Sequence, residues 1–232
     1  MPELYRDDEF GEITLRHTTG SSIRVKLSPD GTFKASLPYY CGVPAFRRAL
    51  NSMREQLRET YLQHKTSTGN YSDGDKIGFR HHIHIRTTSI SAININTEGS
   101  VITVNLPQKI TSDNEVVQQL IRPHIVKALK KEAKIYLPKR LALLAENHGF
   151  YYERVRFSHT SSRWGSCSTK GTISLNIALM KLPLEIIDYV LIHELCHTVH
   201  MNHSSEFWKA VQLVCNDYKL LRQKLKNYSP YI

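Results

Sequence analysis

The chain has 232 residues, of which 41% are apolar and 22% are charged. That composition is ordinary for a soluble globular protein, and the length allows one large domain or two small ones. No stretch approaches the roughly 20 apolar residues that a membrane span needs, and the N-terminus shows no secretory signal pattern. The sequence therefore predicts a soluble protein and argues against a membrane protein.

The cysteines bear on the cellular compartment in which the protein is found. The four of them lie far apart and form no CxxC pair: Cys41, Cys167, Cys196 and Cys215. In a chain without an export signal, such cysteines are expected to stay reduced and to pack as small apolar residues. We therefore predict a cytoplasmic protein.

The net charge of +10 means that the surface attracts anions. The sharpest local feature is a run of lysines at helical spacing, namely Lys127, Lys130, Lys131 and Lys134. We interpret this run as the solvated side of an amphipathic helix. Nucleic-acid binding is the alternative that the charge suggests.

The first half of the chain is predicted to be rich in β-structure. Residues 12–37 alternate apolar with polar side chains around the turn signal Pro29-Asp30-Gly31, which predicts a β-meander. A helix is predicted after Pro44, and three more strand-like runs follow in residues 77–107, with no internal repeat apparent. His81, His82 and His84 lie in the first of those runs without a nearby acidic or thiol partner, so we interpret them as structural.

From Thr111 onward the pattern becomes helical. Ser112 or Asp113 is the predicted cap, Pro138 is a predicted break, and Gly149 is the predicted end of the next helix. The apolar positions that support the first helix are Val116, Leu120, Ile125, Leu129 and Ile135. The whole pattern predicts an α+β fold, with a β-rich region over 1–110 and a region carrying the chemistry over 111–232.

The most informative segment is a His-Glu-x-x-His motif within an apolar helix. His193 and His197 are four residues apart, so both project from one helix face and can reach one metal ion. Imidazole nitrogens suit Zn²⁺. Glu194 lies about 100° round the helix, where it can hold a water beside the ion. A buried helix avoids Glu and His unless they are paired or liganded, so the sequence predicts a zinc site.

The third ligand is predicted to be His203. His200 would lie about 10.5 Å along a straight helix from His193, which is too far for convergence. A turn after Val199, with Asn202 in the left-handed conformation, would bring His203 back to the metal. Glu206 is the rival ligand, although it also suits the first turn of a helix that Ser204 caps.

Three protein ligands would leave a fourth position for water. Zinc lowers the pKa of a bound water to about 7, which generates a nucleophile near neutral pH. Glu194 would accept the water proton and then pass it to the leaving amine. Arg163 and His200 are candidates for supporting the oxyanion. The predicted activity is zinc-dependent hydrolysis of peptide bonds in a peptide or protein.

Several motifs follow one another toward the C-terminal end of the chain. They are Arg163-Trp164-Gly165-Ser166-Cys167, Ile173-Ser174-Leu175-Asn176, His193-Glu194-Leu195-Cys196-His197, Asn202-His203-Ser204 and Phe207-Trp208. Their order and spacing resemble the pattern of the YgjP-like metallopeptidase domain family, a zincin-type group related to the SprT-like proteases. The resemblance implies a zincin-like core with His193, His197 and His203 as zinc ligands and Glu194 as the catalytic acid and base. The resemblance implies a class of reaction but not a particular substrate. An insert of roughly residues 66–106 is not covered by the resemblance.

Two interpretations stay open for the RWGSC and ISLN segments, which precede the helix with the His-Glu-x-x-His motif. The ISLN run predicts either an edge strand that holds substrate by backbone pairing or an interior strand behind a packed RWGSC turn. Cys167 is not expected to be a nucleophile, because a metal-bound water fills that role. The second hypothesis for the protein as a whole is a nucleic-acid-associated factor, with a structural zinc or with protease activity recruited to DNA or RNA.

Overall fold

The chain folds as two compact units, Met1–Gly69 and Asn70–Pro230. The computed structural model describes residues 3–28, 32–67 and 70–232, and the side chains of all of these except 62–67. The turn predicted at residues 29–31 lies outside the described residues. The boundary between the units is near residue 69 and not near 110, because the strands of residues 76–107 share the core of the second unit.

The first unit consists of a four-stranded sheet and one helix. Its elements are β1 (Glu3–Asp7), β2 (Gly11–Thr18), β3 (Arg24–Leu27), β4 (Phe33–Pro38) and α1 (Val43–Ser67). The sheet order is β1-β2-β4-β3, and β2 runs parallel to β4, so the predicted meander is wrong. The more apolar β4 occupies an interior place, whereas the short, charged β3 lies at the edge. Burial therefore decides the strand order.

One face of this sheet forms a core with α1. Alternate strand residues such as Ile13, Leu15 and Phe33 are buried, as are Phe46 and Leu50 of the helix. The period of two in the strands and the period of three to four in the helix place these side chains on facing surfaces. The opposite strand positions consequently point away from the core.

The second unit begins with a sheet that repeats the topology of the first. Its strands are β5 (Lys76–Ile77), β6 (His81–Thr88), β7 (Asn94–Glu98) and β8 (Val101–Pro107). The order is β5-β6-β8-β7, with β6 parallel to β8 and the other two pairs antiparallel, as in the first sheet. The chain thus contains an internal repeat that the sequence analysis missed, because matching strand registers do not require matching residues.

The helix after this sheet is α2 (Glu115–His148), and it is continuous. Asn114 caps its start, instead of Ser112 or Asp113, and Gly149 ends it in the left-handed conformation as predicted. The predicted break at Pro138 is wrong, because Leu137 and Leu141 are both buried and core packing offsets the missing hydrogen bond.

The buried face of α2 is one residue out of phase with the prediction at its start. Val117 and Ile121 are buried, whereas Val116 and Leu120 are exposed, as is Ile135 further along. The four lysines of the predicted stripe are exposed, which confirms that they form a solvated face.

The remaining strands form a third sheet, and the remaining helices follow one another along the last part of the chain. They are β9 (Arg154–Ser158), β10 (Gly165–Cys167), β11 (Thr172–Asn176), a short 3-10 helix (Ile177–Lys181), α3 (Leu184–Cys196), α4 (Ser205–Val214) and α5 (Tyr218–Leu225). The sheet order is β10-β11-β9, which leaves β10 at an edge beside α3. The described helices and sheets together confirm a mixed α+β fold. None of the described helices combines the length and the apolar character needed to cross a membrane.

Candidate metal centre

The helix that carries the His-Glu-x-x-His motif lies inside the core of the second unit. Most of α3 is buried on every side, as in Ile187, Tyr189 and Ile192, so the helix has a fixed position. His193 and Glu194 lie in its last turn, and His197 follows as its C-terminal cap. The chain therefore presents both motif histidines at the end of a rigid element.

Three imidazoles converge at this helix end. The Nε2 atoms of His193 and His197 are 3.2 Å apart, those of His197 and His203 are 3.2 Å apart, and those of His193 and His203 are 3.1 Å apart. Tetrahedral Zn–N bonds of 2.0–2.1 Å separate two ligand nitrogens by about 3.3 Å. The triangle therefore fits one shared cation, and the three residues form a potential metal-binding group.

The chain reverses direction between His197 and His203 without a left-handed residue. Asn202 was expected in that conformation, but no non-glycine residue of the described chain has a positive φ. The helix instead ends at Cys196, and a turn at residues 197–199 redirects the backbone toward α4. Because the helix ends earlier than expected, the following residues have room to return in ordinary conformations.

The two rival ligands have other roles. The carboxylate of Glu206 accepts a hydrogen bond from the Ser205 hydroxyl, and Ser204 caps α4 as predicted. Hydrogen bonds from the Glu206 backbone, Ser205 and Ser204 lower the pKa of Glu206 to about 2. The backbone carbonyl of His200 lies 3.0 Å from Nδ1 of His197. His200 thus orients a ligand through its main chain and is not a member of the triad.

The protonation of the ring nitrogens suits metal binding. Burial, with smaller effects from His197 and His203, lowers the pKa of His193 to about 3, so that ring is neutral at pH 7. Burial also lowers the pKa of His197. When Nδ1 of His197 donates to the carbonyl of His200, its Nε2 carries a free lone pair. The neutral tautomer with that lone pair is the one that binds zinc.

Aromatic side chains of α4 support the triad. The ring of Phe207 is fully buried and lies 4.4 Å from the ring of His197, and it also contacts the rings of His193 and His203. Trp208 stacks on His203 with ring centroids 5.6 Å apart. The Phe-Trp pair noted in the sequence is therefore the packing surface that holds the three imidazoles.

Glu194 is a buried carboxylate beside the triad. Its side chain is 5% exposed, and its Oε2 atom has no hydrogen-bond partner among the described residues. Burial raises the pKa of Glu194 to about 8, and the positive charge of Arg163 opposes this rise. A carboxyl group with this pKa is mostly protonated at pH 7, and a divalent cation at the three histidines would favour its ionised form. In that ionised form Glu194 would be able to accept a proton.

The third sheet brings the RWGSC segment to this carboxylate. β11 is the interior strand, so the ISLN run is not an edge strand, and β10 is the edge strand that lies beside α3. Gly165 of β10 is so close to Glu194 that a Cβ atom there would lie 2.6 Å from Oε1. Sequence reasoning did not identify Gly165 as a site residue, and the only signal was its place within the motif.

Asn176 holds the loop before β10 in place through side-chain hydrogen bonds. Its amide nitrogen donates to the carbonyls of Thr160 and Arg163, and its Oδ1 accepts from the backbone of Ala178. The residue is fully buried, so these bonds are shielded from water. Asn176 therefore positions the segment that leads to Gly165.

Cys167 lies on the same edge strand. Burial, with a contribution from Glu194, raises the pKa of its thiol. A thiol with a raised pKa is a weak nucleophile at neutral pH, in agreement with the expectation that Cys167 does not attack substrate.

The other histidines noted in the sequence belong to ordinary polar contacts. Nδ1 of His81 is 2.5 Å from the buried carboxylate of Glu132, which also accepts backbone hydrogen bonds from Phe79 and Arg80. His84 contacts Asp73 at 3.0 Å. Both histidines thus have an acidic partner, contrary to the expectation from their sequence neighbours, and within the described part of the chain neither belongs to a potential metal-binding group.

Comparison with known proteins places the chain in a family. The YgjP-like metallopeptidase domain matches residues 21–228. The metallopeptidase zymogen abylysin of Pyrococcus abyssi is 29% identical, with a TM-score of 0.36, over 39% of this chain and 91% of abylysin. The zymogen jannalysin of Methanocaldococcus jannaschii is 19% identical, with a TM-score of 0.32, over 38% of this chain and 95% of jannalysin. No curated protein matches the chain. Because the family domain spans most of its length, the chain belongs to the YgjP-like metallopeptidase family.

Proposed function

We propose that this metallopeptidase binds one zinc ion through His193, His197 and His203 and uses it to hydrolyse peptide bonds. The observation that carries the proposal is the triangle of Nε2 atoms, whose sides of 3.1 to 3.2 Å suit tetrahedral zinc. A ligand set of three neutral imidazoles also suits zinc better than magnesium or calcium, which prefer oxygen ligands.

The chain's own groups support a proton-transfer role for Glu194. A zinc ion at the triad would lower the pKa of a coordinated water and would polarise the substrate carbonyl. Glu194 lies one residue from a ligand, with a buried oxygen that has no partner among the described residues. Its carboxylate would take the proton of the attacking water and later give it to the amine nitrogen of the leaving peptide.

The surroundings of the triad favour catalysis over a structural zinc. A structural site is usually closed by four protein ligands, whereas a catalytic site has three and an open position. Within the described residues the potential ligand group has three members. His203 is exposed, so solvent and a peptide can approach from its side.

Two variants test the proposal. Purified protein should contain about one equivalent of zinc by elemental analysis, and His193→Ala should lose it. Glu194→Gln should retain the zinc but lose hydrolysis of a fluorogenic peptide library. Retained hydrolysis in Glu194→Gln would exclude its role as the base, and unchanged zinc in His193→Ala would exclude the ligand assignment.

We also propose a peptide or protein substrate and a cytoplasmic location. The four cysteines are free thiols, as expected in a reducing compartment. Labelling of free thiols in intact cells, followed by fractionation, tests the location.

A further inference from the structure

One side of α2 lines an apolar recess that contains none of the metal-centre residues. The recess has a volume of about 460 Å³, and its walls are formed by α2, the turn before β6 and the 3-10 helix. Its apolar lining consists of Phe79, Ile135, Tyr136, Leu143 and Met180. Small-molecule sites are typically apolar concavities of about 300–1,000 Å³. The recess is therefore large enough to enclose a ligand.

Three apolar side chains at this recess are exposed to solvent. Phe79 is 37% exposed, Leu143 is 44% exposed and Ile135 is 52% exposed. Single exposed apolar residues are common on protein surfaces, but these three meet at one concave site. The ring of Phe79 packs edge-on against Tyr136 with centroids 5.0 Å apart, and the adjoining Met180 belongs to the core. The fold alone leaves the three side chains partly in water, and a ligand in the recess would remove them from it.

The turn that carries Phe79 is held against α2 by a buried carboxylate. Oε2 of Glu132 accepts a hydrogen bond of 2.6 Å from the N–H of Phe79. Oε1 of the same side chain accepts hydrogen bonds of 3.0 and 3.2 Å from the N–H groups of Arg80 and His81. Gly78 enters the turn with a φ of 62°, and a Cβ atom there would clash with Oε2 of Glu132. One wall of the recess is therefore fixed before any ligand binds.

These hydrogen bonds also restrict the kind of ligand that can enter. The N–H groups of Phe79 and Arg80 are already bonded to Glu132, and those of the adjoining part of α2 are bonded within the helix. The recess therefore offers no main-chain donor of this turn to a peptide backbone. A peptide group that is buried without a partner costs free energy, whereas a hydrocarbon chain needs no partner. The lining thus favours an aliphatic chain over a peptide.

The charges around the recess favour an anion. Arg80 and Lys139 line it, are exposed, and form no ion pair with any described residue. Arg140 is neutralised by Asp188, whose carboxylate accepts hydrogen bonds of 2.7 and 2.6 Å from its Nε and Nη2 atoms. Glu132 is the one lining carboxylate among the described residues, and the turn already occupies both of its oxygens. Two cations therefore remain available to an anionic group of a ligand.

We propose that this recess binds an amphiphilic carboxylate, meaning a single aliphatic chain that ends in one carboxylate group. The chain would cover Phe79, Ile135 and Leu143, which removes their apolar surface from water. The carboxylate would bind Arg80 and Lys139, because the guanidinium group matches the two oxygens of a carboxylate and the ammonium group adds a second positive charge. The recess is thus a ligand site in addition to the metal centre, and its occupancy does not depend on hydrolysis.

The test is isothermal titration calorimetry of the full-length protein with decanoate, below the concentration at which decanoate forms micelles. Binding should be saturable at one site, and decyltrimethylammonium should bind about tenfold more weakly or not at all, because the two cations repel it. Ile135→Ser/Leu143→Ser should weaken decanoate binding about tenfold or more, since less apolar surface is buried. Arg80→Gln/Lys139→Gln should weaken it about tenfold but leave the affinity for uncharged decanol unchanged.

The matched controls lie on α2 outside the recess. Val116→Ser/Leu120→Ser removes two comparably exposed apolar side chains, and Lys127→Gln/Lys130→Gln removes two exposed cations. Both control variants should keep the parent affinity for decanoate. Equal losses in a control pair and in the corresponding recess pair would overturn the proposal, and so would the absence of saturable binding to the parent protein.

Two other occupants of the recess would give different results. A dimer that Ile135→Ser/Leu143→Ser dissociates, with no decanoate binding, would mean that a second copy of the chain covers the recess. Binding to phosphatidylglycerol vesicles without binding of decanoate would mean that the apolar side chains contact a bilayer. Either result would replace the proposed ligand. Unchanged thermal melting and zinc content check that each variant is folded.

Discussion

The main chain of Gly165 lies directly against the carboxylate of Glu194. A Cβ atom at Gly165 would be 2.6 Å from Oε1 and 2.8 Å from Cδ of that side chain. The contact joins the edge strand β10 to the end of α3, so two separate sequence motifs meet at one carboxylate. Hydrogen bonds from Asn176 to the preceding loop keep the strand in place.

Gly165→Ala should impair turnover while leaving the metal bound. The added methyl group must displace the Glu194 carboxylate, and a shift of about 1 Å at a catalytic group can lower kcat about 100-fold. Zinc content should stay near one equivalent, because the atoms nearest to the added methyl group belong to Glu194 and not to the three histidines. Gly20→Ala is the control, since a Cβ there meets only an ordinary contact at 3.4 Å. A kcat equal to that of the parent protein would show that Glu194 tolerates the displacement.

His203→Ala should lose zinc, whereas Glu206→Ala should retain it. His203 contributes one corner of the nitrogen triangle, and Glu206 hydrogen-bonds to Ser205 outside it. Loss of one of three ligands is expected to weaken zinc binding by a factor of about 100 or more. Even the loss of a residue that only hydrogen-bonds to a ligand weakens metal binding by about 10–100-fold. Competition with a chromogenic chelator measures the affinity. The opposite ranking of the two variants would make Glu206 the ligand.

Phe207→Ala should reduce both stability and zinc affinity. The ring is fully buried and contacts all three imidazoles, so its removal leaves a cavity beneath the site. Such a truncation costs about 3–5 kcal/mol in the free energy of unfolding. Leu213→Ala on the same helix is the control, because that side chain is 86% exposed. Chemical denaturation with and without chelator separates the two effects, and equal stability of both variants would contradict the packing role.

The first unit should lose stability in acid through Asp7. The Arg54 side chain, opposed by burial and aided by the backbone of Glu9 and Phe10, holds the pKa of Asp7 below its usual 3.8. A lowered pKa in the folded state stabilises the fold above pH 3.8, and this contribution disappears as the pH falls through the lower folded value. Arg54→Met should therefore destabilise the unit by about 2–3 kcal/mol at pH 7 and by much less near pH 2.

Denaturation curves at several pH values measure this dependence. Arg47→Met on the same helix is the control, because Arg47 is exposed and forms no ion pair with a described residue. A loss of stability in Arg54→Met that is the same at pH 2 and pH 7 would show that the ion pair with Asp7 is not its cause.

Local spacing alone determined the centre of the metal site. A spacing of four residues from His193 to His197 places both imidazoles on one helix face wherever that helix packs, and the apolar residues around them favour burial. Strand alternation likewise predicted the segments that became β2, β6, β7 and β8, and Gly149 predicted the end of α2. These features depend on neighbours within a few residues, which the sequence displays directly.

Other features depended on contacts between distant residues, so only the tertiary structure decided them. The order β1-β2-β4-β3, its repetition in the second sheet and the boundary near residue 69 follow from which faces can be buried together. The continuity of α2 through Pro138 reflects packing that outweighs local preference. The contact of Gly165 with Glu194 and the cross-strand pairing of Lys26 with Lys34 cannot be read from the sequence either. Each joins two segments that come together only when the chain folds.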